Sequence, residues 1–315
     1  MRVLVVGASG AIGTRLVPLL RARGHEVTGS SRSESRAGRL RELGAGPVVL
    51  DALDGAAARR VVAQARPEAI VYQATALAGG GFSRKLDTTF ARTNRLRTQG
   101  LDNLLAAARE AGVARFVAQS FAPYRYAHQG GPVKTEDDPL VTRPPASARE
   151  TFAAMSHVDD AVTRAGGIAL RYGGFYGDPD PMVKAVQKRM YPVIGDGSGI
   201  MSFVNLDDAA AATALAVDRQ GPAIYNVTDD EPAATRDWLP ALAAAVGAKP
   251  PRHFPTWLGR LFMGEGLDMM AGARGASNAR AKHELGWTLR YPSWRQGFPV
   301  SFGPGSRALR AGFSR

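Results

Sequence analysis

The first clear pattern along the chain is an unbroken apolar run at residues 3–6. It is followed by Gly7, Gly10 and Gly13, and by apolar residues at Ile12, Leu16, Leu19 and Leu20. The run has the character of a strand buried on both faces, and the later spacing is that of a helix whose natural stop is Gly24. Pro18 falls inside that helix, lacks the N–H for an internal hydrogen bond, and predicts a local kink. A strand that turns through glycines into a helix aims backbone N–H groups and the positive helix end at one point. A side chain at Gly7 or Gly10 would hold a diphosphate off the backbone, so the pattern reads as a dinucleotide-binding turn. Gly7, Ser9, Gly10, Ala11, Ile12 and Gly13 are the residues expected to line it.

The alternation continues downstream. Residues 25–32 read as a second strand and its exit loop, 47–50 as a third strand, and 69–72 as a fourth. Residues 115–119 read as a fifth, ending at Ser120, and 168–171 as a sixth. Helical stretches are expected at about 94–111 and 150–164, and the Pro-rich residues 140–147 as a loop. Short apolar strands alternating with longer helices predict an α/β fold, a Rossmann-type doubly wound parallel sheet covered on both faces. Past Tyr176 the alternation loosens, strand-like runs return at 203–206 and 223–227, and from Asp229 the chain is helical and Pro-interrupted. The predicted organisation is a dinucleotide-binding domain of residues 1–177 plus about 203–228. About 178–202 plus 229–302 form a smaller C-terminal substrate lobe, with a flexible tail at 303–315. The apolar, Met-bearing stretch 257–270 reads as core of that lobe.

At the end of the second strand a dinucleotide fold places an acid for the ribose hydroxyls of NAD, or an Arg for the 2′-phosphate of NADP. Ser30, Ser31 and Arg32 stand there, with Arg36 a turn later and no acid among them. Hydroxyls and guanidinium groups suit a phosphate, so the expected cofactor is NADP(H) rather than NAD(H). Asp51 and Ala52 after the third strand, Ala74, Thr75 and Ala76 after the fourth, and Asn94 complete the expected cofactor contacts.

Composition narrows the function classes. With 45% hydrophobic and 22% charged residues the chain is an ordinary globular protein, and the absence of Cys excludes disulfides and thiolate chemistry. Five dispersed His residues with no His-x-x-x-His spacing leave no metal site expected. No apolar run approaches the roughly 18 residues of a membrane span, and the first strand begins too early to leave room for a signal peptide. A cytoplasmic protein without a membrane partner is the expectation. The net charge of +12 raises the question of nucleic acid, but the basic residues are scattered and no nucleic-acid motif accompanies them. A solvated basic surface that attracts anionic ligands is the expected consequence.

Several further motifs fall in order: Tyr124 with Glu136-Asp-Asp-Pro139, Leu170-Arg-Tyr-Gly-Gly-Phe-Tyr-Gly177, Ile194-Gly-Asp-Gly-Ser, Ser202-Phe-Val-Asn-Leu-Asp-Asp208 and Glu284-Leu-Gly-Trp287. With the glycine turn, Asp51, Asn94 and Ser120 they make the chain resemble the extended short-chain dehydrogenase/reductase superfamily, the nucleotide-sugar epimerases and dehydratases, over almost its whole length. The resemblance implies a Rossmann domain, a C-terminal substrate lobe, a homodimer and a Tyr-x-x-x-Lys pair. In that pair the ammonium lowers the phenol pKa and the phenol exchanges a proton with substrate. Counting back from Asp159-Asp160 and Leu170-Arg171 puts the pair at positions 151 and 155, which hold Thr151 and Met155. No Tyr has a Lys four residues later, and no Lys lies between Lys134 and Lys184. The acid/base centre is absent.

Ser120 remains as a hydrogen-bonding candidate, and Tyr124, His128 and His157 are the substitute proton donors. Tyr124 is the best placed of these, just beyond the fifth strand at the sheet's carboxyl edge. A small-molecule substrate is expected against Ser120, Tyr124 and Met155, with Tyr176 and Phe203 as walls. Two classes of function stay open. One is an NADP(H)-dependent oxidoreductase acting on an imine, enone or ketone that needs little general acid. The other is a non-redox protein that keeps NADP as a structural or sensory ligand, or an isomerase or dehydratase that retains it.

Overall fold

The computed structural model describes residues 1–77, 85–177 and 181–303, so the expected tail lies outside the described residues from 304 onward. Seven parallel strands form the main sheet: β1 Arg2–Val6, β2 Glu26–Ser31, β3 Gly46–Val49, β4 Ala69–Tyr72, β5 Arg115–Phe121, β6 Ile168–Tyr172 and β7 Ala223–Val227. Their order across the sheet is β7-β6-β5-β4-β1-β2-β3. The direction of winding reverses between β1 and β4, which pair from Val3↔Ala69 to Val6↔Tyr72. Open α/β sheets bind their ligands in the crevice at that reversal. Val3 to Val6 and all of β4 are buried, as unbroken apolar runs require.

Helices α1 Gly13–Ala22, α2 Ala37–Glu42, α3 Gly55–Ala65, α4 Leu86–Arg95, α5 Leu101–Glu110 and α6 Arg149–Arg164 flank the sheet. Helix α1 runs through Pro18, which is exposed. Val17 takes the buried place on its inner face, while Leu19 is left at the surface. The helix expected from about residue 94 begins at Leu86, because Leu86 and Phe90 extend the apolar face by two turns; a π-helical turn, Leu96–Gly100, joins α4 to α5. On one side of the sheet α1 and the helix Leu206–Asp218 share a core with Val3, Val5, Val117 and Leu170. On the other, α3, α5 and α6 pack with Leu4, Val6, Phe116 and Ala118.

The C-terminal residues divide between two places. An aromatic core gathers Tyr176, Phe203, Trp238, Trp294 and Phe298, with Phe203 edge-on to Trp238 at 5.1 Å and to Phe298 at 5.3 Å. Ala281, Trp287 and Leu289 instead return to the α1 side of the sheet, which corrects their expected place in the lobe. Polar contacts hold them there: the Trp287 indole N–H donates to the Asp208 carbonyl at 3.1 Å, and the Asp208 carboxylate accepts from the Arg290 and Tyr291 amides. The Met-bearing stretch 257–270 is core on one face only. Leu267 and Met269 are buried, whereas Trp257 and Leu261 stand 70% and 64% exposed. No helix among the described residues is long and apolar enough to cross a membrane.

Candidate active site

The glycine turn is built around close approach. Gly7 has φ +88°, and a Cβ there would lie 3.0 Å from the Gln73 carbonyl carbon and oxygen at the end of β4. At Gly13 a Cβ would come within 2.5 Å of the Ala8 carbonyl oxygen, so both positions exclude a side chain. Gly10 serves differently: only the Gly7 carbonyl, at 3.2 Å, lies near its missing Cβ, and Gly10 and Ala11 are exposed above the start of α1. Helix α1 has no acidic residue in its first turn, so its positive end is uncompensated and suits an anion. The Ile12 side chain points into the core, leaving only its backbone to the turn. These features fit the diphosphate of a dinucleotide.

The Ser-Ser-Arg sequence lies beside this turn. Ser30 Oγ accepts from the Gly7 amide at 3.2 Å, and the Ser9 hydroxyl donates to Ser31 Oγ at 3.3 Å. Arg36 reaches back so that Nη1 donates to the Ser9 carbonyl at 3.1 Å, which places its guanidinium at the turn itself. Arg32 is exposed and has no carboxylate partner among the described residues. Asp51 Oδ2 accepts from Arg92 at 3.2 Å and Oδ1 from the Leu53 amide, while Ala52 is buried against Leu50. Ala74, Thr75 and Ala76 follow β4 half-buried, and the Ala76 amide donates to Thr93 Oγ1.

Asn94 faces Thr151 rather than open space. Its Nδ2 donates to Thr151 Oγ1 at 3.0 Å, and the Thr151 hydroxyl in turn donates to Asp87 Oδ1 at 2.7 Å. Asp87 also accepts the amides of Glu150 and Thr151, capping α6 from the neighbouring helix. The motif reading missed Asp87, although an acid placed to meet a helix start is an ordinary signal.

Met155 lies one turn further along α6 and is 3% exposed. It packs in a cluster with Leu86, Ala148, Phe152 and Met269, lined further by Phe90, Phe121, Tyr124 and Val141. The positions expected to carry an acid/base pair are thus a locked hydroxyl and the centre of an apolar, aromatic-rich cluster. Tyr124 has φ +65°, an uncommon value for an aromatic residue, and its burial together with the Tyr191 hydroxyl raises its phenol well above the ordinary range.

Ser120 is engaged beside this cluster rather than in it. Strand β5 runs on to Phe121, which packs against the Met155 cluster, while Ser120 has the parity of Phe116 and Ala118 and faces α6. There Ser120 Oγ accepts from Arg125 Nη1 at 3.2 Å, within a buried ionic group. Asp159 Oδ2 takes Arg125 at 2.8 Å and Arg171 at 2.9 Å, and Arg171 also donates to the Tyr126 hydroxyl. Arg97 on the π-helical turn is buried nearby, its guanidinium pulled down to about 10 by burial and by Arg125. Tyr176 and Phe203, expected as substrate walls, lie instead in the aromatic core of the lobe, because their rings are needed to fill it. Of the other donors, His157 Nε2 meets Asp102 at 2.7 Å across α5 and α6, and His128 is exposed.

Residues 3–228 match the NAD dependent epimerase/dehydratase family. The chain belongs to that family. It is 41% identical over 312 residues to a 3-diazoavenalumate denitrifying reductase from a Streptomyces species, covering 94% of this chain and 99% of the relative. Among solved structures it superposes on UDP-glucose 4-epimerase of Thermus thermophilus in complex with NAD. The TM-score there is 0.70 at 26% identity, over 96% of this chain and 98% of that one. A human epimerase family protein with NADPH shares the fold with a TM-score of 0.72 at 19% identity, over 96% and 99% of the two chains. The protein is accordingly an oxidoreductase-type enzyme that uses a nicotinamide cofactor.

Proposed function

We propose that this enzyme is an NADP(H)-dependent reductase of an aromatic electrophile that carries its own activation, in the first place an aryl diazo group. The observation that carries the reading is the replacement of the acid/base pair. Thr151 is held between Asn94 and Asp87, and Met155 sits among Phe90, Phe121, Phe152 and Tyr124. A ketone needs a proton at its oxygen as hydride arrives, and neither Thr151, committed to Asp87, nor Met155 gives one. A diazonium needs none: hydride adds to its terminal nitrogen, giving a neutral aryldiazene. N₂ then leaves, and the N–H proton ends on the ring carbon. The relative at 41% identity, named a denitrifying reductase of a diazo compound, supports this choice.

The bound dinucleotide supplies the hydride. The chain's part is to hold the diphosphate at Gly7, Gly10 and the start of α1, and to set Arg36 and Arg32 toward a 2′-phosphate. It also packs a flat ring against Phe121 and Met155 and excludes water from it. Tyr124 acts as a wall of this site. Tyr124→Phe then leaves kcat within about threefold, whereas a general acid would lose about 10²–10⁴. The test is NADPH oxidation with a diazophenol, an enone and a ketone in parallel. Turnover of the diazophenol with N₂ release is expected, with the ketone far slower. Tight NADPH binding without oxidation by any of the three would instead favour a non-redox ligand role.

A further inference from the structure

The hydrogen-bond chain at Thr151 has a direction. The Asp87 carboxylate can only accept, so the Thr151 hydroxyl must donate to it, at 2.7 Å. The Thr151 oxygen is then left to accept, and the group it faces at 3.0 Å is the Asn94 Nδ2. The planar amide is thereby fixed in one orientation, with Oδ1 directed away from Thr151. That Oδ1 is buried with no donor among the described residues, and Asn94 as a whole is only 7% exposed. A buried amide oxygen left in this state is unfavourable, which makes it a strong selector for a ligand that brings a donor.

Its place says which ligand. Along α4, Asn94 stands one turn beyond Phe90 and two beyond Leu86, the residues that face the Met155 cluster. Its partner Thr151 stands one turn before Met155 on α6. The acceptor therefore stands beside the apolar cluster of Met155, whose aromatic members are Phe90, Phe121, Phe152 and Tyr124. Aromatic rings on several sides favour a flat ring by offset and edge contacts, and the acceptor favours a neutral O–H at its rim.

We propose that Asn94 selects hydroxylated aromatic substrates, its Oδ1 accepting from the ring hydroxyl while Asp87 and Thr151 hold the amide in register. This rests on the reading of the Met155 cluster as the ring's site. It goes further by naming the substituent that the ring carries and the residue that recognises it.

The experiment uses ring probes that accept no hydride, 4-ethylphenol and 4-ethylanisole, titrated calorimetrically into the full chain saturated with NADP⁺. The phenol is expected to bind about 5- to 50-fold more tightly than its methyl ether. Asn94→Leu should erase that preference by weakening the phenol alone, with NADP⁺ affinity unchanged. Thr151→Val, which releases the amide to rotate, should reduce the preference to a few-fold. If Asn94→Leu does not fold, Thr151→Val decides the matter: a reduced preference supports the assignment and an undiminished one overturns it. Equal binding of the two probes to the native protein also overturns it. So does a matching loss of NADP⁺ affinity in Asn94→Leu, which would make the cofactor the donor. Because neither probe is reduced, a failed hydride assay with an intact phenol preference would remove the proposed reaction and leave Asn94 its role. Turnover without any preference would do the reverse.

Discussion

Restoring the missing pair, with Thr151→Tyr and Met155→Lys together, should weaken the fold and bring no gain in turnover. Thr151 is 8% exposed and makes two contacts that a phenol cannot reproduce in place: its hydroxyl donates to Asp87 and accepts from Asn94 Nδ2. Losing the two hydrogen bonds and leaving Asn94 Nδ2 without its acceptor is worth about 2–4 kcal/mol. Met155 contributes a nearly fully buried thioether side chain packed with Leu86, Phe152 and Met269. An ammonium placed there among apolar groups adds several kcal/mol more unless the side chain finds water. The two changes touch the same helix face one turn apart, so their effects are coupled and the sum is an upper figure. A loss of about 3–6 kcal/mol is the working expectation, enough to lower Tm by roughly 6–18 °C if each kcal/mol moves it by about 2–3 °C. The assay is thermal unfolding of native, single and double variants, alongside NADPH oxidation with the native substrate class. A double variant as stable as the native protein and several-fold more active would refute the reasoning. It would mean that the cluster around Met155 tolerates charge and that the reaction was short of a proton donor.

Three other expectations follow from the same contacts. Arg36→Ala should raise the Kd of NADPH about 10- to 100-fold and leave that of NADH nearly unchanged, measured by fluorescence titration; a charge-assisted contact contributes about 1.5–3 kcal/mol. Asp159→Asn leaves Arg125, Arg171 and Arg97 without their shared carboxylate in a site where Asp159 and both its ion-pair partners are nearly fully buried, so urea unfolding should show a loss of about 3–5 kcal/mol. His25 is held below its ordinary value because burial outweighs Asp218 at 3.2 Å. The unfolded chain therefore takes up that proton first, stability falls as pH drops below about 6.5, and His25→Gln should flatten that part of a denaturation-versus-pH curve.

The sheet was legible because each of its strands carries its own signal. The runs at 3–6, 69–72 and 168–171 are apolar throughout, since both faces are covered, and the helices between them are long enough to repeat their apolar spacing. The end of β5 was not legible in the same way. Residues 119–121 are polar, polar and aromatic, and only pairing with β6, where Ser120 lies opposite Arg171 and Phe121 opposite Tyr172, carries the strand on past Gln119. Ser120, read as a polar strand end available to a substrate, is instead the partner of Arg125, and Phe121 packs against the Met155 cluster. Likewise Tyr176 and Phe203 look like pocket residues by position, but they pack with Trp238, Trp294 and Phe298 in the aromatic core of the lobe.

The apolar Met155 cluster and the buried arginines are best understood together. Helix α6 carries Met155 and Asp159 one turn apart, so an uncharged space and a strongly charged one lie next to each other under the carboxyl edge of the sheet. Arg125, Arg171 and Arg97 outnumber Asp159, and Glu136, the other acid near Arg171, is raised by its own burial. A surplus of fixed positive charge beside the proposed ring site opposes added positive charge there and stabilises negative charge that develops on a ligand. Hydride addition to a diazonium would pass the ligand's positive charge to the oxidised nicotinamide, so the step leaves the net charge of the site unchanged and asks for no proton. The loss of the Lys at position 155 is consistent with this balance, since one more cation would have added to an excess already present. The proposed step thus adds no charge to a site already in positive excess, and the apolar cluster suits a reaction that asks for no proton from the wall.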